Sequence, residues 1–199
     1  MRLDYLDIGT SDFDIGNGSI EDGKTYLLVE PVKYYLDNIP NKSNILKANC
    51  AISDLDGFVN VYYIEEHDIE KYKLPYWVRG CNKINSKHPT VVKLLKDLNI
   101  SEDIISCKEI KSITFNTLIK NYNIESIKNL KIDTEGHDHV VLNEVAKCLL
   151  ENFVNIENIK LEYLPVFGNT KEIDNACSAI KHLYPVQNII GENIHLSKT

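Results

Sequence analysis

The sequence predicts an α/β fold: a mostly parallel sheet with helices on both faces and an antiparallel hairpin at its C-terminal edge. Three observations predict it. Short apolar runs of strand length stop at turn residues or acids, as at Ile8-Gly9, Glu30-Pro31 and Ile132-Asp133. In the last third such runs alternate with segments of helical spacing, the clearest carrying Val141, Leu142, Val145 and Leu149. Two final runs, residues 186–190 and 193–196, face each other around Gly191. A length of 199 residues suits one domain, taken as 1–199 with a loop insertion at about 65–89 on the ligand-facing side.

In chain order, residues 3–8 form a strand meeting a turn at Gly9, followed by a polar, glycine-rich stretch over 10–23. Residues 25–30 are a second strand stopped by Pro31, and 32–39 supply one or two helical turns ended by Pro40. Residues 45–52 and 58–64 are strand candidates, with Asp56-Gly57 between them as a hairpin signal. Residues 65–87 hold the single Trp and no clear period, so they read as a long loop, of the kind that is functional or mobile. Residues 90–98 place Val91, Leu94, Leu95 and Leu98 at helical spacing. A strand at 110–115 and a helix at 117–122 follow. Residues 130–133 end a strand, 140–150 form a helix, 159–163 a strand and 172–183 a helix.

Composition narrows the function. Hydrophobic residues at 43% and charged residues at 26% match a soluble globular chain. The net charge of −7 argues against gripping a nucleic-acid backbone through broad counterion release. No apolar run spans a bilayer and the first residues lack a signal-peptide layout, so a cytoplasmic protein without membrane association is expected. Cys50, Cys81, Cys107, Cys148 and Cys177 are odd in number and form no C-x-x-C pair, which points to idle thiols rather than a zinc ribbon or a disulfide framework.

Two regions carry chemistry. Asp7-Ile8-Gly9-Thr10-Ser11 lies where a first strand turns, and ligands of open α/β sheets bind at carboxyl strand ends. Glu30 ends the next strand about 20 residues past Gly9, the spacing of an acid that grips a ribose diol. Turn and acid together indicate an adenosine-containing cofactor. A dinucleotide would want G-x-G-x-x-G, but Ser11 and Asp14 stand at the later glycine positions. Asp12 and Asp14 would repel a pyrophosphate, whereas S-adenosylmethionine (SAM) has no phosphate and carries positive charge. SAM is therefore preferred over NAD. The second region, Ile132-Asp133-Thr134-Glu135-Gly136-His137-Asp138, clusters acids and a histidine where a strand feeds a helix. Such groups can serve as a general base or as metal ligands. Helix capping by Thr134 or Asp138 is the plainer reading.

Four blocks in order resemble the FkbM-type family of SAM-dependent methyltransferases. Leu6-Asp7-Ile8-Gly9-Thr10-Ser11 is similar to its V-D-I-G-A-N turn, Val29-Glu30-Pro31 to its V-E-P, Asn49 to Asp54 with Gly57 to its A-(L/V)-S-D-x-x-G stretch, and Leu130 to Gly136 to its I-K-I-D-x-E-G block. The resemblance implies a Rossmann-like class I methyltransferase fold. It implies that Asp7, Gly9 and Ser11 line the methionine part of SAM, that Glu30 binds the ribose, and that Ala51 and Ile52 flank the adenine. Asp133, Glu135 and His137 would face the transferable methyl, with Asp133 also touching the cofactor. An O-methyltransferase acting on a hydroxyl of a sugar, glycan or other small metabolite is expected.

The chain departs from the family pattern at Asp12-Phe13, with Gly16 further on. It also starts almost at the first strand, so covering of the substrate is expected from the segment around Trp77 to His88, with Asn82 and His88 as substrate contacts. A magnesium ion on the carboxylates is compatible with the sequence, which leaves the metal undecided. Two other readings stay open: a non-catalytic SAM-fold binding protein, and an NAD-dependent oxidoreductase.

Overall fold

The computed structural model describes residues 1–11 and 20–198; the Asp12-Phe13 departure, Asp14 and Gly16 lie outside the described residues. Seven strands form the main sheet: β1 (Arg2–Ile8), β2 (Tyr26–Val29), β3 (Ile45–Ala48), β8 (Ser126–Ile132), β9 (Asn155–Glu162), β10 (Val186–Ile190) and β11 (Asn193–Ser197). Their order is β3-β2-β1-β8-β9-β11-β10. All neighbours are parallel except β11, which runs antiparallel to both β9 and β10. The expected C-terminal hairpin is present, and its second strand returns inside the sheet, leaving β10 at the edge. Strand order reverses between β1 and β8, so their carboxyl ends open the crevice where ligands of such sheets bind.

One face of this sheet carries the core. Leu6, Ile8, Leu27, Val29, Leu130, Ile132, Ile159 and Leu161 pack against α4 (Phe115–Asn121), α5 (Asp138–Leu150) and α6 (Thr170–Ala179) through Leu118, Val141, Val145 and Ile173. Leu3, Ile127 and Ile156 join the same core although they sit three residues, not two or four, before Leu6, Leu130 and Ile159. In β1 a bulge explains it: the Thr25 carbonyl accepts from both Asp4 N (3.0 Å) and Tyr5 N (3.1 Å), so two residues oppose one and the facing register resets.

The opposite face begins apolar and turns polar. Tyr5 stacks on Tyr26 with centroids 4.9 Å apart, and Leu36 and Ile39, from α1 (Lys33–Asn38) and the residue after it, cover Leu28 and Ile45. Further across, Asn129, Lys131, Asn158, Lys160 and His195 line a groove of about 850 Å³.

The sequence reading needs correction in the middle of the chain. Residues 45–52 are not one strand, and Asp56-Gly57 does not close a hairpin. Asn49 breaks the run by donating to the carbonyls of Glu30 and Pro31, both at 2.9 Å. The short strand β4 (Ala51–Ile52) then joins a second sheet, in the order β4-β7-β5-β6, with β5 (Gly57–Ile64), β6 (Lys83–Ile84) and β7 (Ile105–Ile113). Asp56 serves a distant helix instead: its carboxylate accepts from Thr114 N at 2.7 Å and Thr117 Oγ1 at 2.8 Å, at the start of α4.

Nor are residues 65–87 a loop. They hold α2 (Glu66–Tyr72), a 3-10 helix (Tyr76–Gly80) and β6. Their buried Ile69, Leu74 and Val78 pack on Ile64, Val91, Leu95 and Ile105, so α3 (Pro89–Asp97), β5 and β7 share a small second core with them. Irregular spacing of those apolar residues left no period to detect. Among the described residues no helix is long and apolar enough to cross a membrane.

Arg79 fastens this segment to the main sheet's periphery. It is 4% exposed, pairs with Glu66, and lies over the rings of Tyr34, Tyr35 and Tyr76 at 5.7, 5.0 and 5.3 Å. Charge pairing and three aromatic faces act together on a desolvated guanidinium. Replacing Arg79 by Ala is expected to destabilise the fold by about 2–4 kcal/mol in urea unfolding. Arg79→Lys should recover only part, because an ammonium lacks the flat surface that stacks on tyrosine.

Candidate active site

The site forms where β1, β2 and β8 end. Gly9 has φ +82°, and a Cβ there would lie 1.8 Å from the carbonyl oxygen of Asp133. Only glycine allows the two strand ends to meet so closely. The contact is fixed by Asp133 N donating to the Ile8 carbonyl at 2.9 Å, and by Gly9 N donating to the Val29 carbonyl at 2.9 Å.

Glu30 is almost fully buried, at 2% exposure. One oxygen accepts from Ser11 N at 3.0 Å and the other from Val32 N at 2.8 Å. Ile8, Gly9, Ser11, Glu30, Ala51, Ile52, Val61, Asn82, Ile84, Asp133 and Glu135 surround one pocket. The structure thus brings most of the sequence-derived candidates together. It also brings in the 65–89 segment, through Gly80, Asn82 and Ile84 as a wall. Within that wall the Asn82 amide donates to the Arg79 carbonyl (3.1 Å), and its Oδ1 is buried with no partner among the described residues.

The β8–α5 turn shows why its unusual sequence is needed. Glu135 and Gly136 both have positive φ, +52° and +91°. A non-glycine residue in that region is costly and is held only by its surroundings. Asp138, 1% exposed, supplies the hold: its two oxygens accept from Thr134 N and Gly136 N, each at 3.0 Å. Neither Thr134 nor Asp138 is the N-cap, a position held by His137 without a side-chain bond; the Asp138 side chain pins the preceding turn instead. Burial pushes its carboxyl up to about 6.

Three acids meet at the pocket's open end. Carboxylate oxygens of Asp133, Glu135 and Glu162 lie within 4.8 Å of one another. Lys131 balances part of this charge, 3.1 Å from Asp133 and 3.7 Å from Asp7. Asp7 itself faces the groove, where it also accepts from Thr10 Oγ1 at 3.3 Å. His88, 5% exposed, places Nε2 2.9 Å from a Glu135 oxygen, and Lys83 donates to the Glu135 carbonyl at 2.6 Å. His137 sits apart, its Nε2 3.2 Å from Ser53 Oγ, next in the chain after β4 (Ala51–Ile52). Burial, with His139 next, lowers His137 to about 4, so the ring is neutral at neutral pH. Sequence reasoning missed Glu162, Lys131 and Lys83. Glu162 ends a strand that runs parallel to β8 with Leu161 level with Ile132, a register that sets it beside Asp133 and that spacing does not reveal.

Burial first, then Glu135 and Asp133, push the Glu162 carboxyl up to about 9. The folded protein therefore keeps a proton that the unfolded chain releases near its ordinary carboxylate value. Linkage makes stability fall as pH rises from about 4.5 towards 9. Glu162→Gln should flatten that decline and stabilise the fold at pH 9 by on the order of 1 kcal/mol, as read from urea unfolding at pH 6 and pH 9.

A family model for the methyltransferase FkbM domain matches residues 9–179. The crystal structure of methyltransferase FkbM from Methylobacillus flagellatus KT superposes with a TM-score of 0.52 at 10% identity, covering 99% of this chain and 44% of that one. The chain thus spans less than half the length of that relative, and a likeness at this identity concerns the fold. No curated protein gives a significant match. The sheet order, the glycine contact between β1 and β8 and the family match over most of the length agree: the chain belongs to the FkbM methyltransferase family.

Proposed function

We propose that the chain is a SAM-dependent O-methyltransferase acting on a hydroxyl of a sugar, glycan or other small metabolite. The observation that carries this reading is the convergence of Glu30, Asp133 and the Gly9 turn on one pocket at the sheet's strand-order reversal. The residues suit such a cofactor. Ala51, Ile52, Val61 and Ile84 offer an apolar slot for a flat adenine. Glu30, at the end of β2, is the acid placed to accept from the ribose hydroxyls, and Asp133 and Glu135 supply negative charge for an ammonium and a sulfonium. When bound, SAM supplies an electrophilic methyl group.

The chain's own residues then have two tasks. Pocket walls must hold the acceptor oxygen in line, and alignment of this kind is worth about 7–11 kcal/mol of barrier. Asp133 stands at the mouth shared by pocket and groove, so it is the base that takes the hydroxyl proton. Glu162, protonated through neutral pH, donates a hydrogen bond to the acceptor. Glu135 lines the same space, and Asn82 and His88 contact the substrate. His137 acts on the adenine side by holding Ser53, and Ser11 and Asp7 hold the turn below the methionine part. Net charge −7 and the acid-rich mouth favour a neutral or cationic small acceptor over nucleic acid. A cytoplasmic setting fits this chemistry.

Calorimetric titration tests the cofactor. SAM should bind saturably, Glu30→Ala should weaken it by about 10–100-fold, and NADH should not bind. Saturable NADH binding with no response to SAM would overturn the reading. Asp133→Asn should lower turnover at saturating SAM by about 10²–10⁴-fold, a loss beyond any weakening of SAM binding. Binding without turnover across a panel of hydroxylated acceptors would instead favour a non-catalytic role.

A further inference from the structure

Behind the acid cluster, three side chains from separate segments converge on one point. Cys81 follows the 3-10 helix, His88 precedes α3, and Glu135 occupies the left-handed position of the β8–α5 turn. One potential ligand atom from each (a thiol sulfur, an imidazole nitrogen and a carboxylate oxygen) lies within 4.8 Å of the other two. We propose that Cys81, His88 and Glu135 form a binding site for a zinc-like divalent transition metal.

The donor set selects the metal class. Magnesium and calcium want oxygen ligands throughout. A mixed sulfur, nitrogen and oxygen set suits zinc or cobalt, and three protein ligands are the number that leaves one coordination position open. The imidazole is poised for it: His88 is 5% exposed, its Nε2 meets Glu135, and its Nδ1 is buried with no partner among the described residues. Its ring is held edge-on by Phe167, with centroids 5.4 Å apart. Charge favours a cation there, because the Glu135 and Asp133 carboxylates both act on the Cys81 thiol. Lys83 opposes it, since its ammonium reaches the Glu135 carbonyl and Gly136. Two carboxylates act against that one ammonium. None of this depends on the methyl-transfer reading, although Glu135 and His88 belong to both sites, so a bound cation would stand next to the acceptor pocket.

The test uses the whole, reduced, metal-free protein titrated with Co²⁺. One equivalent should bind with visible bands of tetrahedral cobalt and a sulfur-to-cobalt charge-transfer band, and Zn²⁺ should displace it. Cys81→Ser should abolish the charge-transfer band. His88→Gln should weaken apparent affinity by about tenfold or more. Cys107→Ser, at an exposed thiol on β7, should change nothing. A charge-transfer band that survives in Cys81→Ser, or vanishes in Cys107→Ser, would overturn the assignment. X-ray absorption on the zinc-loaded wild-type protein needs no variant: one sulfur in the zinc shell supports the site, and an all-oxygen-and-nitrogen shell sinks it. These readouts contain no SAM. A protein that binds cobalt through Cys81 but ignores SAM would keep this inference and lose the other.

Discussion

The close approach of Gly9 to the Asp133 carbonyl is the constraint on which the site depends. It lets the ends of β1 and β8 touch, and everything above them is placed by that contact. Ser11, two residues on, directs its N–H to Glu30 and so ties the end of β2 to the same turn. Asp133, one residue beyond β8, is fixed by its N–H to the Ile8 carbonyl. Any side chain at position 9 would enter backbone, not a movable side chain, so no rotamer change relieves the clash. The glycine is thus a condition of the geometry, and the two acids on either side of it inherit their positions.

Stability is given up at this place. Asp133, Glu135, Glu162 and the buried Asp138 crowd one end of the sheet, and Lys131 and Lys83 offset only part of their repulsion. Glu135 adds a left-handed backbone at a non-glycine position. Such strain and charge concentration mark functional sites, because folding alone would remove them. The neutral histidines act in the other direction. His88 and His137 are both held near 4, so acid below their ordinary range protonates the unfolded chain first and destabilises the fold. The carboxyls favour lower pH and the imidazoles higher pH, which places best stability between about 4.5 and 6.5, on the acid side of neutrality.

How much of this was legible in the sequence depended on range. Parallel strands buried on a face announce themselves by apolar runs, so β1, β2, β8 and β9 and the helices between them stand close to where spacing placed them. The Gly9–Glu30 pair was legible because a tight turn and an acid at fixed distance are both local features. The second sheet was not. It rests on pairing of β5 with β7, far apart in sequence, and β7 shows exposed Cys107, Lys108 and Glu109 in its middle, which hides the strand pattern. The Asp56-Gly57 signal misled for a similar reason: its acid was taken by α4, a partner no local rule reveals. Glu162 and Lys131 needed sheet register, which sequence spacing alone does not supply.

The segment that the sequence presented as a featureless loop turns out to set the pocket's outer wall. Its position is fixed from two sides. Ile69, Leu74 and Val78 bury it in the small core with α3, and Arg79 locks it to Tyr34 and Tyr35 of α1. Between those anchors Gly80, Asn82 and Ile84 are presented to the pocket, and Cys81 and His88 to Glu135. The main sheet therefore determines where Glu30 and Asp133 can stand, whereas the small second sheet and its helices determine what else fits beside them. Under the proposed methyl transfer, divergence in acceptor choice should accordingly fall on residues 65–89, where a change of side chain alters the wall without disturbing the Gly9 contact.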